Sequence, residues 1–395
     1  MKPLCSLKVL DLTDGNPYTG SMFADYGAEV VKIENPDGGD SIRRRGAVPG
    51  EAEGIYQAFY NRGKKSMTLD ITKPAGQDII KRLVPQFDML VVNKSEAVMK
   101  ELGLGFEDLK EKNPKLIYGV LTPYGESGPW KDMPDYDLLI NSRSGLQEKT
   151  GFPERPTKFG FPLGYVYSSW HLSAGMLAAY LKAQETGEGM KVSVSVWHTL
   201  MSLDDTFVEG LLGMNELPRR IGNGFPTTNP TDTFKCKNGW FSLSIGSDAQ
   251  WQSFAHVVGN ETWEKDPRYA NDPVRSMENY FGDLDQQLRD YFETITIEEA
   301  DMICREAMVP GGPCNTVNEL INDEQVADRQ MLLHIEDTVL GDTLQIGKAA
   351  KFSRDTEGDN MIAPAPVLGA DTETYLQNIQ CTSEELAQLK ADGVI

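Results

Sequence analysis

Hydrophobic and polar positions alternate along Leu7–Leu12 in a stretch rich in aliphatic residues, which predicts a β-strand. Pro17–Tyr26 changes to helical spacing, and Ala28–Ile33 returns to a strand pattern. The chain therefore opens strand, loop, helix, strand, the size of one βαβ unit. Ser66–Ile71, Met89–Val92 and Lys115–Leu121 predict further strands, with a helix over Lys73–Leu83. Strands alternating with helices imply an α/β fold with a mostly parallel, helix-covered sheet. Tyr167–Ala183 is apolar and rich in Ala, Gly and Leu, which predicts a long buried helix, and Lys191–Val196 alternates strictly as a strand. Gly, Pro, Thr and Asn crowd Ile221–Asp232, marking a loop and a domain boundary. Beyond it, Gly239–Ser244 predicts a strand and Asp248–Met308 is mostly helical; Ser383–Ile395 is an acidic terminal helix with Ser383 as its N-cap.

Composition narrows this picture. With 395 residues, 40% hydrophobic and 25% charged, the chain has ordinary globular usage and room for two domains. A formal net charge of -21 argues against nucleic-acid backbones and anionic membrane surfaces as partners. No apolar run reaches bilayer length, and Met1–Leu12 lacks the core of a signal peptide, so the expected location is the cytoplasm. Cys5, Cys236, Cys304, Cys314 and Cys381 form no CxxC pair, and His171, His198, His256 and His334 form no HExxH cluster. No metal site is expected, and the cysteines read as buried reduced thiols.

Single motifs say little. Gly15, Gly20 and Gly27 lie near the first strand–helix turn but not as GxGxxG, and there is no P-loop or GxSxG. Ser168, Ser169 and His171 read as packing residues and a satisfied core histidine. Asp135-Tyr136-Asp137 follows the Gly-rich turn Tyr124–Pro129. These carboxylates suit acid–base work, or Asp137 caps the helix that follows. Arg43-Arg44-Arg45 is the densest basic cluster and suits either a phosphate or a solvated loop.

The order of the motifs says more. Tyr26–Glu34 resembles a "GAEVIKIE" strand, Gly39-Asp40 with Arg43 a "GDxxR" loop, and Asn61–Asp70 an "NxxKxSxxLD" segment. Asn113–Tyr118 resembles "NPxLIY", Thr186–Gly189 with Val192 "TGxGQxV", Pro310–Pro313 "IPxGPV", and Ala365–Gly369 "APxLG". Together they resemble CoA-transferase family III, the group of formyl-CoA, carnitine and aryl-lactate CoA-transferases. The resemblance implies a Rossmann-like large domain with a smaller α+β domain, in an interlocked homodimer. It implies residues 1–222 and 328–395 for the large domain and 223–327 for the small one.

Family chemistry passes CoA between a thioester and a small carboxylic acid through an aspartyl mixed anhydride. Coenzyme A or its acyl ester is therefore the implied substrate. Leu69, Asp70, Ile71, Thr72, Asn93, Lys94 and Ser95 correspond to an adenine-side wall, Asp135 and Asp137 to the pantetheine path, and Arg43 to a family arginine. The arginine expected after Asn93 falls on Glu101, with Lys100 beside it as a stand-in.

The family aspartate falls on Tyr165, and no Asp or Glu lies between Glu154 and Glu185. Related acyl-CoA racemases use a His and an Asp, whose positions correspond to Tyr136 and Tyr165. Tyr165 and Tyr136 are thus the candidate catalytic residues. Three functions stay open: CoA transfer, a tyrosine-driven isomerisation, epimerisation or dehydration of a thioester, and a non-catalytic CoA-thioester-binding subunit of a heterodimer with a homologous chain.

Overall fold

The computed structural model describes the chain except residues 1, 17, 47–49, 51–52, 204–211, 213–219, 226–227, 280–281 and 354–360 and the side chains of 277–279. It divides into two compact units. One comprises Met1–Ser144, Phe159–Asp205 and Glu324–Ile395, the other Gly145–Lys158 and Thr206–Asp323. The boundaries expected at 222/223 and 327/328 differ from this. The Gly-rich stretch after Ile221 looked like a linker, but it leads straight into a strand at Thr231 within the second unit. Residues 145–158, which no composition shift marked, also belong there.

The first unit is built on six parallel strands: β1 (Lys8–Asp11), β2 (Glu29–Glu34), β3 (Lys65–Thr68), β4 (Met89–Val92), β5 (Ile117–Thr122) and β6 (Lys191–Ser195). Their order across the sheet is β3-β2-β1-β4-β5-β6, so the connection reverses direction between β1 and β4. β4 and β5 are buried at every position, as expected of strands covered on both faces. Helix α1 (Tyr18–Asp25) joins β1 to β2, α2 (Pro74–Leu83) joins β3 to β4, and α3 (Glu96–Glu101) follows β4. The core joins Leu10, Val31, Met67, Leu90 and Val120 to Tyr375, Leu376, Leu389 and Val394. The C-terminus thus completes this core. Its backbone also holds the loop after β3: Asp70 N donates to Val394 O at 2.7 Å and Lys73 Nζ to Asp392 O at 2.8 Å.

The terminal helix runs Ser383–Ala391, and its cap is Thr382, whose Oγ1 accepts from Glu385 N at 3.1 Å. The expected cap, Ser383, is its first helical residue. A hairpin over Leu332–Asp337 and Gly341–Ile346 is pinned by Arg62, which donates to Ile346 O at 2.7 Å and pairs with Asp25 at 2.8 Å.

Two more helices matter for the site. The first, α4, covers Asp137–Arg143 and the second, α5, Leu163–Thr186. α5 is longer than its apolar stretch predicted, and only one face is buried in this chain: Gly164, Ser168, Ser169, Leu172, Ser173, Met176, Ala179 and Ala183. Trp170 and Leu181 are exposed. His171 is exposed too, with Nδ1 3.1 Å from Tyr167 O, which corrects its reading as a core histidine.

The second unit carries an antiparallel sheet of β7 (Thr231–Cys236), β8 (Gly239–Ser244) and β9 (Gly311–Pro313), packed by helices over Asp248–Val258, Asp283–Phe292 and Ile297–Ala307. Its core is aromatic: Phe234 stacks on Phe292 at 4.7 Å, with Trp251, Phe254 and Trp263 beside them. Arg275 is fully buried within it. Its charge is met by Asp272 at 3.1 Å and by the carbonyls of Asn229 and Tyr269 at 2.6 and 2.9 Å. All five cysteines are free. Cys236 and Cys304 are buried, whereas Cys5 and Cys314 are exposed, so the expectation of burial fails for those two.

Candidate active site

Open α/β sheets bind ligands outside the carboxyl ends of their strands where the strand order reverses. Here that point lies between β1 and β4, and it is framed by buried charge. Asp11 ends β1 and is paired in register with Lys32 on β2. Its carboxylate takes Lys32 Nζ at 3.4 Å and Lys64 Nζ at 3.0 Å, with all three side chains buried. Lys32 also meets Asp40 at 2.8 Å and the Thr13 carbonyl. Burial opposes ionisation of Asp11, but the two ammonium groups outweigh it and hold its carboxyl below the usual range. Burial likewise opposes Asp40, and Lys32 again outweighs it.

This lattice shapes the opening loop. Asp11 Oδ1 accepts from Thr13 N at 3.0 Å and Thr13 Oγ1 at 2.6 Å, and Asp40 Oδ1 accepts from Gly15 N at 2.7 Å. Gly15 sits at φ +68°, a conformation that favours glycine.

A second ionic group backs the loop after β2. Arg43 forks onto Glu34 at 2.6 and 2.7 Å and also reaches Glu53. Ser66 Oγ donates to Glu34 at 2.6 Å and accepts from Gly369 N at 2.9 Å. Burial is again outweighed, here by Arg43, and Glu34 lies below its ordinary value.

Around this frame lies a cleft of about 260 Å³. Leu69, Asp70, Ile71, Thr72 and Lys94 line it, together with Asp14, Asn35, Ser41 and Arg44. Asp70 Oδ1 accepts from Thr72 N and Oγ1 at 3.0 and 2.6 Å, so it organises its own turn. Among the described residues the Lys94 side chain has no hydrogen-bond or ion-pair partner, and it lines the cleft as a cation.

The other sequence-derived residues fall elsewhere. Asn93 is engaged in clamping the opening loop: Oδ1 accepts from Asp14 N at 3.0 Å and Nδ2 donates to Asp14 O at 2.7 Å. Ser95 caps α3 through Val98 N. Lys100 lies exposed on α3 and does not line the cleft. Arg43 is buried in its ion pairs, which leaves Arg44 as the cleft-lining arginine of the cluster.

Tyr136 holds the N-cap position of α4 with its side chain 66% exposed. It displaces Asp137 from the expected capping role, and Asp137 instead accepts from Asn141 Nδ2 at 3.0 Å. Crowding around the Asp135 carboxyl, and then the charge of Asp137, push Asp135 up. Tyr165 lies half-buried in the first turn of α5, and no hydrogen bond or ring contact joins it to Tyr136. Among the described residues no group of three or more His, Cys, Asp or Glu could hold a metal ion, and no helix is long and apolar enough to cross a membrane.

Sequence reasoning missed Asp11, Lys32 and Asp40. The available signal was a charged residue at buried positions of two adjacent core strands, which is costly unless paired.

The profile of CoA-transferase family III matches residues 4–372. The chain belongs to CoA-transferase family III. It is an enzyme of transferase type with a CoA-transferase-like function. It is 29% identical over 399 residues to succinyl-CoA–D-citramalate CoA-transferase of Chloroflexus aurantiacus, covering 100% of this chain and 98% of that protein. It is 29% identical over 347 residues to succinate–glutarate CoA-transferase of Agrobacterium fabrum, covering 85% of each. A solved CAIB/BAIF family protein from Brucella suis superposes with a TM-score of 0.85 at 26% identity, covering 96% of this chain and 100% of that one. The α/β fold expected from the strand pattern is thus shared along the whole chain.

Proposed function

We propose that this protein transfers CoA between an acyl-CoA thioester and a small organic acid, with dicarboxylic acids as the class to test first. The observation that carries the reading is the coincidence of the family match with a cleft. The family match spans the chain, and the cleft at the strand-order reversal is lined by residues that the resemblance gives to the adenine end of CoA. The relatives carry succinate, glutarate and citramalate in their names. Free CoA would sit with its nucleotide against Leu69–Thr72 and Lys94, and the thioester would extend toward Tyr165 and Tyr136.

The nucleophile is the departure. The family uses a carboxylate, because an anhydride keeps the acyl group activated. At Tyr165 the only acceptor is a phenol, which would give an aryl ester. The same reading carries an interlocked homodimer in the cytoplasm, with the exposed Tyr167, Trp170 and Leu181 of α5 covered by the second chain. Light scattering at micromolar concentration tests that assembly, and a monomer would refute it.

Incubation with succinyl-CoA and glutarate, read by mass spectrometry, tests the activity. Glutaryl-CoA is expected. Failure to form a new thioester from any of these dicarboxylic acids would sink the proposal. Hydroxylamine trapping then assigns the acceptor: a trapped acyl group that vanishes in Tyr165→Phe places it on the phenol, and one that persists places it elsewhere.

A further inference from the structure

Arg45 differs from the buried arginines of the first unit. Arg43 is engaged by Glu34 and Glu53 and Arg62 by Asp25, whereas the neighbouring Arg44 donates to the Gly38 carbonyl. Arg45 has no carboxylate partner among the described residues. It is exposed, its Nη1 donates to Gly15 O at 3.4 Å, and its guanidinium carbon lies 5.8 Å from the centroid of the Tyr56 ring. Tyr56 stacks with Tyr60 at 6.1 Å, and Tyr60 meets Tyr18 edge-on at 4.5 Å. The Tyr18 phenol lies within hydrogen-bonding reach of both Tyr60 and Arg45. One guanidinium and three phenols therefore gather at the opening loop, whose first residues, Leu12–Asp14, line the cleft.

The Tyr18 and Tyr60 phenols are donors at neutral pH. Burial, then the neighbouring phenols, push Tyr60 up to about 12, and burial raises Tyr18 as well. A planar guanidinium fork flanked by O–H donors matches a carboxylate in shape and charge. On a chain of net charge -21, a cation with no acid beside it is a place where an added anion meets least repulsion.

We propose that Arg45, with Tyr18, Tyr56 and Tyr60, anchors a carboxylate of the acid substrate, namely the one that is not activated. This rests on the CoA-transferase reading above. A carboxylate held in a guanidinium fork has its lone pairs engaged, so the group that reacts must be the other one. The anchor thus makes the enzyme select dicarboxylic over monocarboxylic acids.

Thermal-shift titrations of the full chain at fixed ionic strength, with succinate against butyrate, test this without CoA. The two acids share a four-carbon chain and differ in the distal carboxylate. Wild type is expected to bind succinate about tenfold more tightly, the yield of one charge-assisted pair. Arg45→Gln is expected to bring the two within about threefold. Tyr18→Phe, which keeps the charge, is expected to retain a reduced preference. Equal affinities in wild type, or an undiminished preference in a folded Arg45→Gln, overturn the inference. Calorimetry with free CoA on the same preparations reads the transferase proposal separately, since CoA binding does not require Arg45 to discriminate between acids.

Discussion

Lys32→Met tests whether the buried ionic lattice holds the first unit together. The substitution keeps the stem's volume and removes the ammonium. Asp40 then loses its partner at 2.8 Å and the Thr13 carbonyl loses its donor. Asp11 keeps Lys64 at 3.0 Å, and Asp40 keeps Gly15 N and Ile42 N at 2.7 and 2.9 Å. Removing one partner of a buried pair costs about 3–5 kcal/mol, and the surviving donors place this case at about 3 kcal/mol.

The pH dependence separates this loss from one of packing. In wild type, Asp11 and Asp40 lie below their ordinary values. Their contribution is fully present above about pH 4, where the unfolded carboxyls are ionised, and it is lost as pH falls through the folded values. In Lys32→Met, burial dominates at Asp40, so its carboxyl rises above the unfolded value. Protonation then favours the folded variant, and going from pH 7 to 4.5 the deficit narrows by up to about 1.4 kcal/mol for each unit by which the raised value exceeds 4.5. Urea unfolding followed by circular dichroism at both pH values measures this. A deficit under about 1 kcal/mol at pH 7, or one that does not narrow in acid, refutes the reasoning.

Three further outcomes follow from local geometry. A Cβ at Gly189 would lie 2.1 Å from Leu116 O, a backbone atom that cannot retreat, whereas one at Gly119 meets the flexible end of Met176 at 2.4 Å. Gly189→Ala should therefore cost about 3 kcal/mol and Gly119→Ala at most about half that, read as urea midpoints. Thr296→Ala removes a capping box in which Glu299 N donates to Thr296 Oγ1 and Thr296 N to Glu299 Oε2, at about 1 kcal/mol, and should lower the melting temperature without touching CoA affinity. Lys94→Ala should do the reverse: CoA binding weakens about tenfold by calorimetry while the melting temperature stays put, because Lys94 has no side-chain partner among the described residues.

The strands of the first sheet were legible because parallel strands buried on both faces read as aliphatic runs, and Met89–Val92 was placed to the residue. The caps were less legible. At the last helix Thr382 and Ser383 are adjacent residues of similar chemistry, and pattern cannot choose between them. At α4 the tyrosine rather than the aspartate holds the boundary, because Asp137 turns to Asn141. The hairpin over residues 332–346 went unread because its inward positions mix Ile335 with Asp337 and Gln345, which breaks the period that announces a strand. In the site, the string after β3 and Lys94, expected as one wall, line the same cleft. Arg43 could not be read, since its destination depends on Glu34, which lies on another element and approaches only in the fold.

That separation bears on how a family III chain can carry a tyrosine at position 165. The cleft is held by Asp11 at the end of β1, Lys32 within β2, Lys64 just before β3 and Asp40 in the loop after β2, and by backbone bonds from the C-terminus. Tyr165 lies on the first turn of α5, outside every one of those contacts. Energetic coupling between substitutions is expected where they share partners, and none of the ion pairs or backbone bonds just named involves Tyr165. The lattice can therefore keep the cleft's shape whatever group stands at position 165. On the proposed reading, a change at that position alters the acyl acceptor while the lattice that shapes the cleft keeps its own partners. Glu34 and Asp40, by contrast, are held by the ion pairs and loop contacts that build the cleft.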